Sequence, residues 1–158
     1  APKARSPLEK LYAQGRAFVA FALANPEQYR MTFMTTRDAP QKVDDVLTER
    51  CFALLLGTLE SCIEAGFFPP APDGTIKLGL RLFAAVHGLA TLLITKHWLP
   101  WGDIEEAADG VVKAAIAGSI VGARMVAKSP ARFAQDMLEL VDVLERSRPG
   151  KGPPVRSS

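Results

Sequence analysis

A chain of 158 residues, 48% apolar and 23% charged, has the makings of one globular domain that hides about 70% of its unfolded surface. The net charge of +2 is a feature of the C-terminal end: setting aside Arg146, Arg148, Lys151 and Arg156 leaves 15 bases against 17 acids. That balance excludes a basic stripe for tracking nucleic-acid phosphates.

The elements punctuate themselves with caps and prolines. Ser6-Pro7-Leu8-Glu9 forms a capping box with proline in the first turn, opening a helix with Leu8, Leu11, Tyr12, Phe18, Val19 and Ala22 on its apolar side. Asn25-Pro26-Glu27 starts a short second helix carrying Tyr29, Met31 and Phe33. Asp38 and Pro40 open a long third helix, which passes through Phe52, Leu55, Leu56, Leu59 and Ile63 and stops at Gly66 as its C′ residue. A proline-rich connection leads to Asp73-Gly74-Thr75 and a fourth helix from Ile76 to Lys96. Asp103 with Glu106 caps a fifth, expected to reach Lys128. Ser129-Pro130 starts a sixth, whose stripe Phe133, Met137, Leu140, Val141 and Leu144 is one-sided. Residues 149–158 have the composition of a disordered tail, so residues 1–148 make the domain. No segment has strand periodicity. The expected class is all-α, a six-helix bundle.

Leu78 to Thr95 and Ala107 to Ala127 approach the length of a membrane span. Arg81 and His87 interrupt the first, and Asp109, Lys113 and Arg124 the second, which argues against a membrane. Cys51 and Cys62 share one helix about 16 Å apart, too far for a disulfide, and two free thiols suit the cytoplasm. No apolar run follows Pro2, Lys3, Arg5 and Ser6 to make a signal peptide. His87 and His97 lie about 15 Å apart along a helix and cannot share an ion. No phosphate loop, nucleophile elbow or metal spacing occurs. The chain is therefore not expected to be an enzyme or to hold a metal or cofactor.

The fourth helix has apolar residues on two sides, and the fifth is rich in alanine and glycine. Small side chains let helix axes come close, so these two helices are expected to pair with a second copy as a four-helix bundle. Leu82, Val86, Leu89 and Leu93 of the fourth and Val111, Ala115, Gly118 and Gly122 of the fifth are the expected interface.

Several segments together resemble the C-terminal ligand-binding and dimerisation domain of TetR-type transcriptional regulators. They are Asn25-Pro-Glu-Gln-Tyr-Arg-Met-Thr-Phe33, the third helix ending at Gly66, the Pro69–Asp73 linker and Val86-His87-Gly88. The resemblance spans roughly residues 7 to 127 and is nearest to the subgroup with a Trp-His-Gly signature, although Val86 stands where that signature has tryptophan. The sixth helix runs past the usual end of the domain, and the N-terminal DNA-binding module of the family is absent from this chain. The resemblance implies a repressor's sensing half, in which a hydrophobic small molecule changes operator affinity through that missing module. It places the effector among the first, third and fourth helices, beneath the second. Phe18, Tyr29, Phe33, Phe52, Leu56, Phe83 and His87 are the candidates to line its pocket. For His87 the competing role is structural, a core histidine bonded to a carbonyl on an adjacent helix. The alternative function is an all-helical homodimeric interaction module that takes no small molecule.

Overall fold

A computed structural model of the chain describes residues 6–34, 50–70, 74–125 and 129–148. The first helix, α1 (Pro7–Ala24), opens on the expected capping box: Ser6 Oγ accepts the Glu9 N–H at 3.2 Å, and the Glu9 carboxylate accepts the Ser6 N–H at 2.6 Å. Pro26 restarts the chain as α2 (Pro26–Tyr29), which passes directly into one π-helical turn, Arg30–Met34. Next come α3 (Arg50–Glu64), α4 (Gly74–Thr95) and α5 (Ile104–Gly122). The helix expected from Asp38 is thus described only from Arg50, and residues 38–49 lie outside the described residues, as does the tail 149–158. No strand occurs among the described residues.

Gly66 ends α3 as the sequence requires. Its φ of 81° lies in the left-handed region. Its N–H bonds the Ile63 carbonyl, and the Phe67 N–H bonds that of Cys62, both at 2.9 Å. This is the Schellman pattern that satisfies carbonyls left open at a helix end. Asp103 caps α5 by accepting the Glu106 N–H at 2.8 Å. The fifth helix stops at Gly122 rather than running on to Lys128. Gly118 and Gly122 each weaken helix propensity by roughly 0.8–1 kcal/mol relative to alanine, and that cost falls in its last turn and a half.

Residues up to Ala123 form one unit, with α1 at its centre against α2, α3, α4 and α5. Leu11, Leu59, Cys62, Phe68, Leu82 and Val112 make one core cluster, and Val19, Leu89, Leu93 and Ala108 a second. Ala22, Tyr29 and Ala90 form a third, which pins α2 to α1 and α4. Burying each large side chain contributes about 1.5–3 kcal/mol. Two glycines set how closely the helices approach. A Cβ at Gly15 would stand 3.0 Å from Val112 Cγ1, and one at Gly79 would stand 3.0 Å from Leu56 Cδ2. The α1–α5 and α3–α4 seams therefore each rest on a missing methyl. Although α4 is long and apolar enough to cross a bilayer, Leu78, Leu82, Leu89 and Leu93 are spent in the core.

The remaining unit contains α6 (Pro130–Arg146). Ser129 caps it, and ion pairs Arg132–Asp136 and Arg146–Asp142 brace it at i,i+4 spacing. It has no buried residue: Phe133, Val141 and Leu144 of the expected stripe are each at least half exposed.

Candidate functional site

Leu11, Gln14, Gly15 and Phe18 recur at the three-to-four spacing of one helix face, so α1 turns a continuous side toward its neighbours. Between that face and α3, α4 and α5 lies a cavity of about 470 Å³. The π turn supplies Thr32 and Phe33 to its lining, α3 supplies Phe52 and Leu55, α4 supplies Phe83 and Val86, and α5 supplies Val112 and Ile116. The size falls within the roughly 300–1,000 Å³ of small-molecule sites.

Aromatic edges and faces build the upper wall. Phe18 is its hub, meeting Tyr29, Phe33 and Phe83 edge-on with ring centres 5.7, 5.3 and 5.5 Å away. Phe52 meets Phe83 at 87°. Such edge contacts are the favoured aromatic geometry, adding about 0.5–1.5 kcal/mol beyond area burial. The π turn is what brings Phe33 onto this wall while α2 holds Tyr29 in the core.

Of the seven pocket candidates, Phe18, Phe33, Phe52 and Phe83 line the cavity, and Tyr29, Leu56 and His87 do not. Leu56 packs over Gly79 on the α3–α4 seam. Tyr29 is fully buried, and its hydroxyl lies 2.5 Å from His87 Nδ1 and 3.4 Å from the His87 carbonyl. His87 thus has its partner within the protein, and that partner is a tyrosine hydroxyl rather than a carbonyl. The imidazole also stacks on Phe83 at 15°, so it supports the wall from behind. Burial pushes the Tyr29 phenol up and the His87 imidazole down from their ordinary values, which keeps both neutral.

Six of the eight residues expected at a subunit interface face inward. Leu82, Val86 and Ala115 line the cavity, and Leu89, Leu93 and Val111 belong to the second core cluster. Only Gly118 and Gly122 are exposed. The outward face of α4 is instead Ile76, Leu80, Ala84 and Leu92, all exposed. The two-sided apolar pattern of this helix was legible, but which side faces outward depends on the position of α1.

The polar members of the lining, Gln14, Gln28, Thr32 and Cys51, escaped the sequence analysis. Gln14 had a signal, since it sits one helical turn before Phe18. Its Nε2 donates to Thr58 Oγ1 at 2.9 Å, while its Oε1 is buried without a partner. On the far side of α1, the Asp109 carboxylate accepts from the Tyr12 hydroxyl and pairs with Lys113. The lysine and tyrosine contacts hold it below the usual carboxylate range. Arg16 reaches Glu105. The Tyr12–Asp109 and Arg16–Glu105 contacts tie α1 to α5, and the solvent-facing ion pairs add little energy. No group of His, Cys, Asp and Glu that could hold a metal occurs among the described residues.

The sequence matches the tetracyclin repressor-like, C-terminal domain over residues 11–117. The chain belongs to that family. Every residue that lines the cavity lies inside the matched span, whereas α6 lies wholly beyond it. No curated protein and no solved structure matches the chain. A tetracyclin repressor-like C-terminal domain is the regulatory part of a transcriptional regulator, and its all-helical form is the one seen here.

Proposed function

We propose that this domain is the effector-sensing and dimerisation part of a cytoplasmic TetR-type repressor, with its cavity taking a hydrophobic small molecule. The observation that carries this reading is an apolar cavity of about 470 Å³ walled by Phe18, Phe33, Phe52 and Phe83. A half-open apolar hollow of this size, inside the span that matches the family, has the dimensions of a small-molecule site. Binding there acts on the π turn and on α4 together, because Phe33 and Phe83 belong to one wall. The ligand shifts the population of subunit arrangements by binding one better than the other, and an N-terminal helix-turn-helix would translate that shift into operator affinity.

Dimerisation is read from the glycines. Added Cβ atoms at Gly88, Gly110, Gly118 and Gly122 would meet nothing within 4 Å among the described residues, so no contact described there calls for these costly helical glycines. Close approach of a second copy does. The surface we assign to it is Ile76, Leu80, Ala84 and Leu92 of α4 with Gly110, Ala114 and Gly118 of α5, making a four-helix bundle about a two-fold axis.

Thermal melting of the chain against a broad panel of apolar small molecules tests the sensing role. A true effector at a hundredfold excess over its Kd is expected to add about 2.7 kcal/mol of stability. Flat melting across the whole panel would point instead to an interaction module without a ligand.

A further inference from the structure

Five of the chain's eight phenylalanines, Phe18, Phe21, Phe33, Phe52 and Phe83, line the cavity. They arrive from α1, the π turn, α3 and α4. The two larger core clusters are built differently. Among its buried residues the first has one phenylalanine, Phe68, and the second has only Val19, Leu89, Leu93 and Ala108. Leucine and valine serve apolar burial as phenylalanine does. Rings gathered around a hollow, while aliphatics fill the core, therefore call for a reason other than burial.

Their mutual geometry supplies one. Phe18 meets Phe33 at 73° and Phe83 at 70°, and Phe52 meets Phe83 at 87°. A phenyl ring is negative on its face and positive at its edge, so a wall of near-perpendicular rings presents both signs. Phe18, Phe33 and Phe83 pack on one another, yet none of them is fully buried, and all three keep surface toward the space they line. An aromatic guest extends the same edge-to-face pattern, meeting faces with its edges and edges with its faces. A saturated guest of equal size has no such quadrupole and gains only burial. We infer, on the reading that this cavity is the effector site, that the ligand it selects is an aromatic compound rather than an alkyl chain or a saturated ring.

Isothermal titration of the full chain with β-naphthol, decahydro-β-naphthol and decanol tests this class. Each probe has ten carbons and one hydroxyl, so only the carbon skeleton differs. Both saturated alcohols leave water more readily than the aromatic one, so burial alone would rank β-naphthol last. It is expected instead to bind about tenfold tighter than either, the worth of one or two added ring contacts. In Phe18→Leu and in Phe83→Leu the preference is expected to fall to about twofold, and a preference kept in full by both would overturn its assignment to these rings. The comparison on the unaltered protein needs neither variant to fold. Saturated probes that bind there as tightly as β-naphthol would overturn the aromatic class and leave the apolar site standing. Binding of none of the three would overturn both.

Discussion

Tyr29 and His87 show how a buried tyrosine and a half-buried histidine can be structural at the edge of a cavity. The hydroxyl and Nδ1 satisfy each other at 2.5 Å, and this contact locks α2 onto α4. Burial holds the imidazole's proton affinity below its ordinary value of 6.5. Between that lowered value and 6.5 the unfolded chain takes up a proton that the native state refuses, so stability falls as the pH drops below 6.5. His87→Asn places an amide near the same position without titrating. The melting-temperature advantage of the unaltered protein over this variant is expected to shrink between about pH 7.5 and about pH 5.5. A constant gap across that range would mean that His87 keeps its charge state fixed for another reason.

At the scale of elements, glycines separate two kinds of helix contact. Gly15 and Gly79 are required inside the protomer, because a methyl at either would press on Val112 or Leu56. Gly118 faces open space among the described residues, so in the proposed dimer a large side chain there harms only the partner. Gly118→Leu is expected to leave the helical content intact while halving the mass in analytical ultracentrifugation. An unchanged mass would move the dimer contact elsewhere. Much at this scale could be read from the sequence alone. Ser6, Pro26, Gly66, Asp103 and Ser129 begin or end helices because each supplies a local hydrogen bond or a fixed backbone angle, and local chemistry is what a sequence displays. The inward turn of Leu82, Val86 and Leu89 could not be read that way. It depends on where α1 lies against α4, a long-range fact that helical periodicity does not encode.

At the scale of the first unit, α1 runs through the middle and the other helices of that unit wrap it, leaving one side of its face to a cavity rather than to core. Four phenylalanines predicted from the chain line that space, and the resemblance to TetR-type regulators was enough to find them. Gln14, a polar member of the lining, was not found that way, because its neighbour Thr58 is set by where α3 lies against α1. The family match and the cavity cover the same stretch of chain, while α6, with its exposed apolar stripe, belongs to neither. The central claim is that the void between α1, α3, α4 and α5 receives the effector, and a crystal structure grown with decanol tests it most directly. The expected result is the alkyl chain lying among Phe18, Phe52 and Phe83. A decanol molecule bound elsewhere, with this cavity collapsed or filled by the protein's own side chains, would contradict it.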